Sequence, residues 1–431
     1  MLPKRLKDRQ KEILIFKKRR IFFIALAFIT VTINCSVFHA IGLLNNGTYA
    51  INDSGKTGGI HFKPIANLII LPISFEKDAT QYNFILDTGA GVTVIDSAVC
   101  DSMKLSSQAE VMSGGGFGVA KKEKFVVLPG FAFDRFYLNN IAAVSINLAV
   151  LSHATGMKIS GIIGTNVLRH FQVFISYRDS LLAFSDPAFN VRQAAFSLPI
   201  KYSLSTSFLP LVSCGVSMGN KRTITADFVI DNGLNGWAML PASYVRRLKI
   251  PQGEITGSYG ETGHDAYKGK NVSFVRIAAI NVGKIALKGV PAFVFTTNFK
   301  YPLIGKNVLE HFDFLLDYPA HRISFFIIPD SAGSSFFSHP YGTGLVTDKT
   351  SKGEVVIKGI WKDSPADKSC VKLTDKIVSI EGFALDSMSA LSINGILNEG
   401  LSADMVKLVL EKADGNRQAL SIGKSVFVGN K

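Results

Sequence analysis

The sequence predicts a mostly β protein made of two copies of one β unit, a separate C-terminal domain of α+β type, and a hydrophobic N-terminal helix. Three observations predict it: an internal repeat between residues 60 and 330, short alternating apolar stretches broken by Gly or Asn within each copy, and a change of character after residue 341. A chain of 431 residues with 47% hydrophobic and 10% aromatic content has material for two or three packed domains and excludes a chiefly disordered protein.

Residues 1–20 carry nine Lys and Arg against Asp8 and Glu12, a surplus of seven that is half of the formal net charge of +14. The other half is spread thinly, so no basic patch for nucleic acid is expected. Residues 21–38, IFFIALAFITVTINCSVF, contain no charge. A basic segment ahead of an apolar one stays in the cytoplasm. Residues 21–44 are therefore expected to be a signal or membrane anchor, with the chain beyond residue 45 on the far side of the membrane. Cys35 follows Asn34 rather than a small residue, so lipid attachment is not expected. Cys100, Cys214 and Cys370 show no paired spacing and are read as buried thiols, with a Cys100–Cys214 bridge as the alternative in an oxidising compartment.

The repeat is explicit. IIGTNVLRHF (162–171) and LIGKNVLEHF (303–312) agree at seven of ten positions, and each is followed by a strand-like stretch. Upstream of each, an apolar run ends in an acid: NFILDTGAGVTVID (83–96) and DFVIDNGLNGWAML (227–240). Asp87 lies 77 residues before Gly164, and Asp231 lies 74 before Gly305, so the copies are placed at 60–190 and 195–330. Residues 331–341 form a Ser/Gly-containing linker. In 342–431, GTGLV and EVVIKGIW read as strand, and ADMVKLVLEKA (403–413) reads as a helix with one apolar face.

An Asp on a tight turn after a buried strand, followed by a hydroxyl residue and a glycine, places a carboxylate at the floor of a cleft with backbone amides around it. Asp87-Thr88-Gly89 has this form. One such acid does little alone. Two brought together share a proton, because like charges a few ångströms apart cannot both ionise readily; one then activates a water while the other donates to a carbonyl. The repeat supplies the second acid, Asp231.

Asp87-Thr88-Gly89-Ala90 with Ile162-Ile163-Gly164, and Asp231-Asn232-Gly233 with Leu303-Ile304-Gly305, resemble the retropepsin-like aspartic peptidases over residues 60–330. The resemblance implies an acid protease fold of two pseudo-twofold-related β-barrel halves. It implies Asp87 and Asp231 as the catalytic pair, and Thr88, Gly89, Asn232 and Gly233 as support. It further implies glycine-rich flaps, at Gly114, Gly115 and Gly116 in the first half and at Tyr259 and Gly260 in the second. Polypeptide is the implied substrate, with no metal or organic cofactor, and a monomer can form one complete site. Two positions depart from the pattern: Asn232 stands where Thr or Ser is expected and Leu234 where a small residue is expected. The interlock of two hydroxyls is therefore expected to be lost on one side, and the second reading is a catalytically impaired, peptide-binding scaffold.

Residues 342–431 resemble a PDZ domain of the bacterial kind, with Gly342-Thr343-Gly344-Leu345 as its carboxylate-binding loop and Leu373-Thr374-Asp375-Lys376-Ile377-Val378-Ser379-Ile380-Glu381-Gly382 as its later signature. This implies a peptide C-terminus or a partner as ligand. Together these features imply an exported or inner-membrane-anchored protein of the bacterial cell envelope, with its main domains in the periplasm. Asp53-Ser54-Gly55 lacks a strand leading into it and is read as linker. His170 and His311 recur without a second ligand nearby and are read as packing residues rather than metal ligands.

Overall fold

The computed structural model describes residues 39–51, 59–62, 65, 68–76, 78–113, 121–133, 135–185, 193–217, 223–248, 255–262, 265–268, 272–295, 300–327, 341–350, 352–385, 405–423 and 425–426. The expected membrane segment lies outside these residues but for its last turns, 39–44, which open a short helix over 39–45. Among the described residues no helix is long and apolar enough to cross a membrane. The 39–45 helix is held against the first repeat by Arg169, whose guanidinium donates to Leu44 O (2.9 Å) and Asn45 Oδ1 (3.0 Å).

The described chain is mostly β strand. In the first repeat six strands follow one another across a ten-stranded sheet: Ile70–Phe75, Gln81–Leu86, Gly161–Ile163, Thr93–Asp96, Ala142–Ile146 and Lys121–Val127. In the second repeat Leu211–Ser217, Thr223–Ile230, Leu303–Ile304, Ala238–Pro241, Ile285–Phe295 and Val272–Val282 take the same order and close into a barrel. The senses agree as well. The strand leading into each Asp runs parallel to the apolar-apolar-Gly strand. Likewise Thr93–Asp96 and Ala238–Pro241 run parallel to their partners Ala142–Ile146 and Ile285–Phe295.

A six-stranded sheet joins the repeats, and at its centre Gln172–Ser176 pairs antiparallel with Phe312–Asp317. The register runs Gln172↔Asp317, Phe174↔Leu315 and Ser176↔Asp313. In the repeat alignment Gln172 corresponds to Asp313, Phe174 to Leu315 and Ser176 to Asp317, so the pairing maps onto itself when the copies are exchanged. A local twofold therefore passes through the Phe174–Leu315 pair. Alternation explains the strands on either side of it: Val173 and Ile175, with Phe314 and Leu316, point into one continuous core that also takes Phe84, Phe171, Phe184, Phe228 and Phe325.

After residue 341 the chain forms a second core of its own, around Ile357, Ile377, Val406, Leu408 and Leu410. Leu345–Lys349, Val355–Trp361, Lys376–Ile380, Met405–Glu411 and Arg417–Gly423 pair antiparallel in that order. The expected helix over 403–413 is corrected here, since Met405–Glu411 is a strand with Val406, Leu408 and Leu410 inward and Met405 and Lys407 outward. Its apolar residues satisfy a period of two as well as one helical face, and strand partners on both edges decide for the former. No helix occurs among the described residues of this domain, and its residues 386–404 lie outside them. Cys100 and Cys214 are free and buried as expected, without a bridge; Cys370 is free but exposed, at the end of a run of turns.

The first repeat has one buried polar knot. Asn166 Oδ1 accepts from both the N–H and the hydroxyl of Thr93 (2.8 Å each), and its Nδ2 donates to Ala142 O (2.8 Å). This ties the apolar-apolar-Gly turn to two neighbouring strands. Asn166→Ala strands a buried N–H and a buried carbonyl, and is expected to lower unfolding free energy by about 2–4 kcal/mol in denaturant titration.

Candidate active site

Asp87 and Asp231 each leave the buried end of a strand and are anchored by the apolar-apolar-Gly strand beside it. Asp87 N–H donates to Ile163 O (3.1 Å) and Asp231 N–H to Ile304 O (2.9 Å). Each carboxylate is then held by its own loop. Gly89 N–H donates to Asp87 Oδ1 (2.7 Å), while Gly233 and Leu234 N–H donate to Asp231 Oδ1 (3.0 and 2.9 Å). The two loops meet face to face. A Cβ at Gly89 would overlap the Asp231 carboxyl, and one at Gly233 would overlap the Asp87 carboxyl. Both positions need glycine because the opposite acid occupies the space a side chain would take.

Four hydrogen bonds cross between the loops. Thr88 Oγ1 donates to Ile230 O (2.7 Å) and accepts from Asn232 N–H (3.0 Å). In return Asn232 Nδ2 donates to Leu86 O (2.9 Å), and Asn232 Oδ1 accepts from Thr88 N–H (2.8 Å). Leu86 and Ile230 are the residues just before the two acids, so each side chain ties down the opposite strand end. The expectation that the interlock is lost on one side is corrected: a hydroxyl donates and accepts with one atom, and the Asn amide does the same with two. Thr88 and Asn232 are both buried, so these bonds are shielded from water.

Burial holds the carboxyls of both acids above the ordinary carboxylate range, and for Asp231 the neighbouring Asp87 charge lifts it further. The amide bonds from the loops oppose the rise without cancelling it. Among the described residues no group of three or more His, Cys, Asp and Glu is placed to hold a metal ion.

The remaining expected positions fall as follows. Gly114, Gly115 and Gly116 lie outside the described residues, but the strands flanking them, Ala109–Ser113 and Lys121–Val127, form an antiparallel hairpin that ends at Ser113↔Lys121. Tyr259 and Gly260 lie within the strand Ile255–Thr262, which pairs antiparallel with Asp265–Lys268. Gly342 ends a two-residue strand, Gly344 has φ +82°, and Leu345 N–H donates to Thr343 Oγ1 (3.2 Å) as the next strand begins. Asp53-Ser54-Gly55 lies outside the described residues. His170 is half-buried beside the Tyr49 ring, with ring centroids 5.5 Å apart, and burial lowers its pKa as it does that of His311.

Three features escaped the sequence reading. Tyr177 and Tyr318 each stand 13 residues after the glycine of their repeat, and both hydroxyls are buried beneath the dyad with no hydrogen bond. The Tyr177 hydroxyl lies beside the Asn232 side chain without hydrogen-bond geometry, and burial pushes both phenols upward. Extending the repeat alignment a few residues would have found them. Thr165 Oγ1, with one proton to donate, lies within hydrogen-bond reach of Ala90 O (3.2 Å) and Gly91 O (3.2 Å) in the first loop and of Ser207 O (3.1 Å) in the second repeat. Its counterpart Lys306 pairs with Glu310 instead. Leu234 belongs to an apolar cluster shared with the C-terminal domain, which nothing in the local sequence announces.

Residues 71–167 match the family described as aspartyl protease. The match runs from the strand before Asp87 through the hairpin to the Ile162-Ile163-Gly164 turn, and leaves the second repeat and the C-terminal domain outside it. A comparison with curated proteins returned no match.

Two predictions follow from this geometry. Asn232→Thr is expected to leave function within about threefold, while Asn232→Ala, which leaves the Thr88 N–H and Leu86 carbonyl unpaired, is expected to cost about 2–3 kcal/mol of stability; thermal unfolding and activity measured on the two variants check this. Because both acids bind protons more tightly folded than unfolded, their contribution is fully present at low pH and is lost as pH rises through the folded pKa values. Asp231→Asn, which keeps the acceptor and drops the charge, should therefore melt above the wild type near neutral pH and close to it near about pH 3.

Proposed function

We propose that this chain is an aspartic endopeptidase whose catalytic unit, residues 60–330, consists of two fused retropepsin-like halves. The observation that carries this reading is the pair of facing carboxyls, a part-buried Asp87 and a buried Asp231, each lying against the glycine of the other's loop. The aspartyl protease match over residues 71–167 supports it from the first half. The four-bond crossing weighs against the impaired-scaffold reading, since Asn232 makes every contact the site asks of it.

In this mechanism one acid of the pair Asp87 and Asp231 keeps the shared proton and donates it to the scissile carbonyl, while the other takes a proton from the attacking water. The water adds to the carbonyl carbon to give a gem-diol, whose C–N bond then breaks as the proton taken from the water passes to the leaving amine and the other acid recovers a proton from a gem-diol hydroxyl. The pair titrates as a unit. Activity falls in acid when the second carboxyl is protonated, and falls again at higher pH when the shared proton is lost. Burial places that upper limb well above an ordinary carboxylate.

The substrate class that goes with this reading is extended polypeptide. Residues 342–431 are read as a PDZ domain that binds peptide C-termini or a partner through Gly342–Leu345. Residues 21–44 are read as the signal or anchor that places the rest in the periplasm of a bacterial envelope.

The test is digestion of a diverse peptide mixture by the chain from residue 39 onward, beside its Asp87→Asn variant, across acid to neutral pH. Cleavage that disappears in the variant, with unfolding temperature retained, is the expected result. Cleavage that survives in Asp87→Asn would remove this mechanism, and no cleavage by either folded protein would favour the scaffold.

A further inference from the structure

Leu234 stands where the first repeat has Ala90, and its larger side chain packs against an apolar cluster to which another domain contributes. The cluster includes Leu211, Val229, Met239 and Leu303 from the second repeat and Trp361 from the C-terminal domain. Three of these residues are tied to the Asp231 loop. Val229 lies two residues before it, Leu303 pairs with Val229 from the apolar-apolar-Gly strand, and Leu234 donates its own N–H to the Asp231 carboxylate (2.9 Å). Trp361 is 5% exposed and belongs to this cluster rather than to the C-terminal domain's own core.

The same residue meets the second hairpin. Trp361 ends the strand Val355–Trp361, and Ile255, Thr256 and Gly257 pair antiparallel with Trp361, Ile360 and Gly359. The hairpin strand Ile255–Thr262 is thus an added strand of the C-terminal sheet. The short helix Ala149–Thr155 of the first repeat lies against both this hairpin strand and Leu345–Lys349. The C-terminal domain touches the two repeats at once, on the side where the hairpins stand.

The repeats differ in how their loops are secured. Both loops keep a backbone tie, Thr165 N–H to Ala90 O (2.7 Å) and Lys306 N–H to Leu234 O (2.9 Å), but only the first adds a side-chain hydroxyl within reach of Ala90 O and Gly91 O, while Lys306 is drawn to Glu310. Apolar packing stands in the second repeat where the first has that side-chain tie.

We propose that Trp361 is a positioning residue for the second half of the dyad: through Leu234 it holds the loop that carries Asp231, and through its strand it holds the second hairpin. The proposal rests on the peptidase reading of the site and goes beyond it by making the C-terminal domain a working part of the catalytic unit. Excision of that domain would then impair turnover even of substrates that never enter its own peptide groove.

The experiment compares wild type, Trp361→Ala and Trp361→Phe in the chain from residue 39 onward, by amide hydrogen exchange and by steady-state cleavage over pH. Exchange at residues 233–236 and 255–257 is expected to quicken in Trp361→Ala and to remain unchanged at 88–91. Turnover is expected to fall roughly ten- to a hundredfold with KM little altered, as for a small misplacement of a reacting group. The pH profile moves to higher pH, because a loosened Leu234 N–H no longer favours the charged Asp231; Trp361→Phe restores most of both. Leu234→Ala probes the contact from the other side should Trp361→Ala fail to fold. Unchanged exchange at 233–236, or quickened exchange with turnover and pH profile intact, overturns the proposal. A wild type that cleaves nothing removes the peptidase reading alone, and the exchange pattern still decides whether Trp361 holds the loop.

Discussion

Two carboxyl groups that must face each other at close range, away from water, repel each other when charged and lose hydration in any state. Nothing in their own interaction keeps them there. In this protein the load falls on backbone around them: amides of Gly89, Gly233 and Leu234 hold the oxygens, and Thr88 and Asn232 each pin the carbonyl just before the opposite acid. Because the ties cross, neither loop can retreat without breaking bonds in the other. Both Thr88 and Asn232 are buried, so a broken tie would leave a donor or acceptor without water to replace its partner.

That crossing imposes a demand on everything beneath it. The strands leading into Asp87 and Asp231 must arrive at mirrored places, and the self-mapping register of Gln172–Ser176 on Phe312–Asp317 provides the common floor. A one-residue slip in this pair would turn Val173, Ile175, Phe314 and Leu316 out of the core, so the hydrophobic pattern protects the alignment of the acids. Geometry at the site is therefore fixed some distance away, by apolar side chains with no chemistry of their own.

The duplicated plan was legible because it is written in local signals: an acid after an apolar run, a glycine where the chain comes close to itself, and a repeated IIGTNVLRHF-like turn. The two repeats and the pairing of Asp87 with Asp231 follow from these; the strand order within each does not. Asn232 misled because comparison by residue type asked for a hydroxyl, whereas the site asks for one donor and one acceptor at given points, and an amide supplies both. The 403–413 segment misled because its apolar residues fit two periods, and the choice lies with strands at 376–380 and 417–423 that no local window contains. Tyr177 and Tyr318 were hidden by a repeat comparison that stopped too soon.

Leu234 illustrates the deeper limit. In isolation it reads as a defect, a large side chain in a turn that favours a small one. Its meaning depends on Trp361, more than a hundred residues away and in another domain, and only the packed structure joins them. After duplication two identical halves face identical demands, but a domain added to one side removes that equality. The first loop keeps its Thr165 side-chain tie, and the second is free to trade the equivalent position for Lys306 and lean on its new neighbour. Departures from a repeat are thus most informative where they cluster on one copy, since they mark the face on which the symmetry was broken and the residues that compensate for it.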